Sequence, residues 1–271
     1  MKNTMIVLLL GLAAMFTNCA KVSIKSVEDL DATISNTFKK SPMVGCAISI
    51  VKADQVLFQK AYGQADMARN TPYTNQTTQP IASISKIFIG VALMRAIEQG
   101  LFTLETPIND ILPFVVKNPA FLNQVIRIKH LATHTSGIND VEATYFANHS
   151  ILTGENVGGV EAQRMINELK FKQNSMITPL KDFMKEYFTA GNALYSSKNF
   201  NPTEAGTAYR YSNIGAALAA YLIEVKTGQS FAEYCNAQIF NPLGMSSTSW
   251  FLTNVIRPKM ATLYQGDCIK T

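Results

Sequence analysis

Ser83-Ile84-Ser85-Lys86 sets a hydroxyl three residues ahead of an amine. A serine hydroxyl is a poor nucleophile until a base takes its proton. On a helix, residues three apart share a face, so Ser83 and Lys86 can meet while Ser85 projects from another side. In a first helical turn, free backbone N–H groups and the positive dipole end favour developing negative charge. The same field opposes a protonated Lys86, and burial would drive that amine further towards a useful base. The pattern is short, and Ser49-Ile50-Val51-Lys52 repeats it. That copy falls in a predicted strand, where positions three apart face opposite sides, and it is set aside. A capping serine beside a surface lysine is the rival reading of Ser83 and Lys86.

Tyr211-Ser212-Asn213 adds a second pair of chemical groups. In an extended or turning segment, positions two apart share a side. Tyr211 can pass protons there, and Asn213 can hold a substrate carbonyl or Lys86. The alternative is a buried tyrosine bonded locally and an asparagine that caps the following helix. Gly206 upstream suits a tight turn. His130 and His134 stand four apart, but no glutamate follows His130 directly, so the zinc-protease pattern fails. His149 is a lone loop histidine, and structural roles are expected for all three, with no metal.

These groups need elements to position them. The spacing predicts a helix from about Ile81 to Gln99, with Ile87, Val91, Met94 and Ile97 as its buried stripe and Gly100 as its cap. Another helix is predicted over Ile214 to Lys226, closed by Gly228, and shorter ones over 160–169, 180–188 and 231–239. Ser26-Val27-Glu28-Asp29 reads as a capped start of a helix reaching Lys40. Met43 to Lys52 reads as a strand apolar on both faces, so covered on both. It turns at Ala53-Asp54 into a returning strand, Gln55 to Tyr62, ended by Gly63. Polar segments at 71–79 and 192–203 read as loops. No internal repeat interrupts what reads as a single α/β domain.

Bulk composition narrows the classes. The chain has 271 residues, 47% hydrophobic and 16% charged, enough to bury a sizeable core. A net charge of +5 without a clustered basic face does not favour nucleic acid as a partner. Lys2 followed by the apolar run Met5 to Phe16 fits an export signal and is too short for a bilayer span. Residues 1–20 are therefore expected to be a signal peptide or lipoprotein signal, with Cys19 as a candidate lipid-bearing residue, and 21–271 the functional domain. The expected location is periplasmic or secreted, with membrane attachment through the N-terminus as an alternative. Cys46, Cys235 and Cys268 lack a CxxC spacing, so neither zinc nor a redox motif is indicated. Cys46 and Cys235 read as small buried hydrophobes.

Ser83-x-x-Lys86, then Leu131-Ala132-Thr133-His134-Thr135-Ser136-Gly137-Ile138, then Tyr211-x-Asn213, then Asn241-Pro242-Leu243-Gly244-Met245 form an ordered set. In this order they resemble the β-lactamase-related serine hydrolases, most of all class C β-lactamases, DD-peptidases and related esterases, from about residue 40 onward. The resemblance implies an α/β fold of β-lactamase/transpeptidase type, an antiparallel sheet flanked by helices. It implies that Ser83 becomes acylated, that Lys86 and Tyr211 share acid and base work, that Asn213 positions substrate, and that the Ser83 N–H is one oxyanion donor. His134 to Gly137 would be a structural turn. No cofactor is required, and the substrate would be a β-lactam, a D-Ala-D-Ala peptide or another peptidoglycan-derived molecule, or a simple ester.

The family's third motif, a Lys or His, a small residue and Gly on a strand, has one match in letters, Lys226-Thr227-Gly228, which reads as a helix end. Only 26 residues follow Met245, fewer than the strands and closing helix that the resemblance implies. The expectation is a C-terminally incomplete domain, a fragment or truncated product, of low stability and weak activity alone. A catalytically incomplete penicillin- or peptidoglycan-binding protein is the second expectation, and a structural envelope lipoprotein in which Ser83 merely caps a helix is the third.

Overall fold

A computed structural model describes residues 24–151, 153–173 and 178–264. The segment read as an export leader, Cys19 and Cys268 lie outside the described residues. Among the described residues, no helix is long and apolar enough to cross a membrane. The described residues gather into two compact units, one from those before Pro80 together with those from Ile256 on, the other from those between Pro80 and Val255.

The first unit opens with helix α1, Val27–Lys40. Ser26 caps it as expected, its side chain accepting the Asp29 N–H at 3.1 Å, with Glu28 and Asp29 at the positive end. Strands β1, Gly45–Lys52, and β2, Gln55–Asp66, pair antiparallel across the Ala53-Asp54 turn. Strand β3, Thr71–Pro72, adds to β2 within the segment read as a loop. Helix α1 packs on β2, where Asp31 accepts a hydrogen bond from Tyr62 at 2.7 Å and the Phe38 and Tyr62 rings lie 5.9 Å apart.

Two expectations for this sheet need correction. Gly63 does not end β2. It sits inside the strand at φ 74, and a Cβ there would fall 2.1 Å from the Val44 carbonyl oxygen and 2.5 Å from the Phe38 ring. The glycine is required by a close approach, not by a stop. Nor are both faces of the hairpin covered, because Val51, Val56 and Leu57 remain half or more exposed.

The second unit is helical. A 3-10 turn, Ala82–Ser85, leads into α2, Lys86–Glu98. There follow α3, Ile128–Ala132; α4, Glu142–Ala147; α5, Val160–Asn167; α6, Leu180–Phe188; α7, Asn213–Thr227; and α8, Phe231–Cys235, which runs into a π-helical turn over Asn236–Phe240. Residues 150–151 and 172–173 form a two-residue parallel ladder. Helix α7 is the axis of the core. Nine of its residues are buried, among them Ala216, Leu218, Ala219, Ala220 and Ile223. Around it pack Leu93 of α2, Leu131 of α3, Met184 and Tyr187 of α6, and Tyr234 of α8.

Helix α2 buries Ala92, Leu93 and Ala96, not the predicted stripe. Ile87, Val91 and Met94 are 64%, 44% and 50% exposed, while Ile97 is half-buried. Ala92 and Ala96 share the buried cluster with Ala219 and Ala220 of α7, and α2 packs against α7.

The loop at 192–203 also differs from expectation. Asn199 and Phe200 are buried, and Asn199 Nδ2 donates to the Tyr187 and Leu194 carbonyls. Cys235 is buried, and loss of solvent pushes its thiol up to about 11. Cys46 is half-buried.

Candidate active site

Ser83 lies in the 3-10 turn that precedes α2, not in the first α-helical turn. The difference strengthens the pairing. A 3-10 helix has three residues per turn, so side chains at i and i+3 lie directly above one another. Lys86, the first residue of α2, thus reaches back to Ser83, with Nζ 3.2 Å from Ser83 Oγ. Ala82, immediately before the serine, holds a left-handed φ of 46. A non-glycine residue there is strained, and such strain concentrates at functional positions. Ser83 is exposed and Lys86 half-buried.

The second motif arrives from α7. Tyr211 donates its hydroxyl to Ser83 Oγ at 2.7 Å. Asn213, the first residue of α7, accepts from Lys86 Nζ through Oδ1 at 2.7 Å. The Lys86 ammonium also lies 4.9 Å from the centre of the Tyr211 ring, a cation–π distance. All four residues singled out in the sequence therefore converge on one point. The cap of α7 is not Asn213 but Ser212, whose Oγ accepts the Gly215 N–H at 2.8 Å. That frees the asparagine side chain to face Lys86.

Burial alone would push the Tyr211 phenol up. The Lys86 ammonium and the Ser83 hydroxyl outweigh it and hold the group below its ordinary value.

One residue was missed in the sequence. Asp140 accepts from Ser212 Oγ at 2.6 Å, Asn213 N at 2.7 Å, Asn213 Nδ2 at 2.8 Å and Ile214 N at 3.0 Å. It fills the positive end of α7 and fixes the Asn213 amide with its oxygen towards Lys86. An aspartate 73 residues from its partners carries no local signal.

The segment containing that turn is the site's scaffold. Arg210 N donates to the His134 carbonyl, Gly206 N to Thr135, Asn201 N to Gly137, and Asn139 N to Asn199. Gly206, at φ 88, packs against His130, and a Cβ there would lie 3.3 Å from its Nε2. His130 itself serves locally, Nδ1 accepting the Arg127 N–H at 3.1 Å. His149 Nδ1 lies 2.8 Å from the Tyr145 carbonyl oxygen. Lys226-Thr227-Gly228 closes α7, with Gly228 left-handed at φ 70, as the helix-end reading requires.

The β-lactamase family model matches residues 30–268. The chain belongs to the β-lactamase family. Penicillin-binding protein 4* of Bacillus subtilis is 26% identical over 219 residues, which are 80% of this chain and 40% of that protein. The chain thus spans about two fifths of the length of that curated relative. Among solved structures, the octameric penicillin-binding protein homologue from Pyrococcus abyssi matches with a TM-score of 0.66 at 22% identity, covering 89% of this chain and 48% of that one. The β-lactamase/D-alanine carboxypeptidase from Yersinia pestis matches with a TM-score of 0.59 at 22% identity, covering 88% and 60%. These structures speak to the fold, which is the β-lactamase/transpeptidase-like α/β fold that the motif order implies.

Proposed function

We propose that this β-lactamase-family chain is a serine acyl-hydrolase with Ser83 as nucleophile. The observation that carries the reading is the convergence of Lys86 Nζ and the Tyr211 hydroxyl on Ser83 Oγ, at 3.2 and 2.7 Å. In the acylation step the Ser83 O–H bond breaks, its proton passes to the Lys86–Tyr211 pair, and Oγ bonds to the substrate's carbonyl carbon. The negative charge on the carbonyl oxygen is received by the Ser83 N–H at the helix opening. The bond to the leaving group then breaks, and the leaving group takes the proton back from the same pair. Water repeats the sequence on the acyl-enzyme, releasing acid and restoring Ser83. Asn213 holds Lys86 in place and orients the substrate. The substrate class is a β-lactam, a D-Ala-D-Ala peptide or an ester, each a carbonyl next to a competent leaving group. In this reading the chain works after export, residues 1–20 acting as its leader, and needs no cofactor.

The second reading is a penicillin or peptidoglycan binder without turnover. It is favoured by the position of Lys226-Thr227-Gly228, which ends a helix and so does not wall a cleft. A labelled penicillin and a fluorophosphonate probe separate the two. The enzyme reading expects a covalent adduct mapped to Ser83 and lost in Ser83→Ala. Penicillin retained without a covalent bond, in parent and Ser83→Ala alike, overturns it in favour of the binder.

A further inference from the structure

His134 grips three consecutive residues centred on Tyr211. Its carbonyl accepts the Arg210 N–H at 2.7 Å, its Nδ1 accepts the Ser212 N–H at 3.2 Å, and its ring lies 4.7 Å from the Tyr211 ring. The residue adopts a left-handed φ of 54 to do so, a conformation that few side chains accept without strain. Such a backbone is expected where a side chain must be aimed.

Only an unprotonated Nδ1 can accept from Ser212, so the proton of the neutral ring sits on Nε2. Protonation would place an Nδ1–H against the Ser212 N–H, donor facing donor. We propose that His134 is a positioning residue for Tyr211, and that its protonation frees Tyr211 from Ser83 and sets an acid-side limit on acylation. The proposal rests on Ser83 and Tyr211 having the roles given above.

The charged surroundings agree. Burial holds His134 below its ordinary value of 6.5, and the Lys86 charge adds to this, while Asp140 opposes it. Tyr211 lies on the ring at an interplanar angle of 37° and Tyr209 packs at its edge, 6.0 Å away. These surroundings favour the neutral ring, so His134 gains its proton at a lower pH than an ordinary histidine does. Folding then favours the unprotonated form, so the grip is intact at neutral pH and weakens on acidification.

The test compares the parent, His134→Asn and His134→Ala. Asparagine tolerates the left-handed backbone and offers Oδ1 close to where Nδ1 stood, but it does not titrate. Rates of Ser83 labelling by a fluorophosphonate are measured from pH 4.5 to 8. The parent should lose labelling with the midpoint of the His134 ring, read by NMR. His134→Asn should lose that limb, and His134→Ala should label about ten-fold more slowly or worse at pH 7.5, with His134→Asn recovering most of the difference. An acid limb in His134→Asn that coincides with the parent's overturns the proposal. The Ser212 amide resonance gives a readout independent of acylation. It should shift with the His134 midpoint, and an amide indifferent to that titration overturns the grip even if Ser83 labels normally. Absence of labelling in every chain at every pH counts against Ser83 as nucleophile, and the amide titration then decides for or against the grip alone.

Discussion

Lys86 and Asn213 are each the first residue of a helix, and their side chains meet at 2.7 Å. Two helix openings thus face each other across one hydrogen bond. The orphan N–H groups of α7 are taken by Asp140 and Ser212. At the turn that carries Ser83, the Ile84 N–H donates to the Ile81 carbonyl at 3.1 Å, and in the proposed reading the Ser83 N–H is the one that meets a developing oxyanion.

Lys86 is the residue whose removal should cost most after the serine. Lys86→Ala removes the amine 3.2 Å from Ser83 Oγ and should slow acylation by about 10²- to 10⁴-fold. Lys86→Arg should not rescue it, since a guanidinium keeps its charge and cannot take the serine proton. Stopped-time labelling with a fluorescent penicillin measures both. Equal rates for Lys86→Arg and the parent would exclude a base role for this position.

Tyr211 makes a spectroscopic prediction. Its phenol is held below the ordinary 10 by the Lys86 and Ser83 partners, against the effect of burial. An alkaline titration followed by tyrosinate absorbance should show one early-ionising tyrosine, absent in Tyr211→Phe. Replacing Lys86 by methionine should move that ionisation upward, because the cation that favours the phenolate is gone. An early ionisation that survives in Tyr211→Phe assigns it to another residue.

Asp140 accepts four hydrogen bonds at the opening of α7. Asp140→Ala leaves the Ser212 hydroxyl and three N–H donors without their acceptor and should cost at least about 2 kcal/mol in urea unfolding. Asp140→Asn is subtler. Its amide nitrogen, in the place of Oδ2, would face the Asn213 Nδ2, and the Asn213 amide should turn to offer its oxygen there. Lys86 then loses its acceptor. A crystal structure of Asp140→Asn in which Asn213 Oδ1 still faces Lys86 would show that the aspartate does not set this orientation.

How much of this was legible in the residues follows from distance along the chain. Ser83 and Lys86 are local to one turn, so spacing sufficed even though the turn is 3-10 and not α. Tyr211 and Asn213 were legible through the motif order, and α1, α6 and α7 through caps and periodicity. The face of α2 was not. Ile87-Phe88-Ile89-Gly90-Val91-Ala92-Leu93-Met94 is apolar almost all round, so its pattern names no face. Side-chain size points to the large residues as the buried set, whereas close packing selects Ala92 and Ala96. Asp140 and the Nδ1 bond of His134 depend on partners more than 70 residues away, and no periodicity encodes such pairs.

Two glycines with nearly the same backbone separate the cost of conformation from the cost of space. Gly228 closes α7 at φ 70 with open space where a Cβ would be, whereas Gly63 holds φ 74 with the Val44 carbonyl oxygen 2.1 Å from that position. Gly228→Ala should therefore cost only the left-handed penalty, about 1–2 kcal/mol. Gly63→Ala carries that penalty and must also push the Val44 backbone and the Phe38 ring aside, at a total of about 3 kcal/mol or more. Urea unfolding of the two variants checks the difference. Equal losses would mean that β1 and β2 can part at Gly63 without penalty, contrary to the pairing of Gly45 with Gly63 in the hairpin.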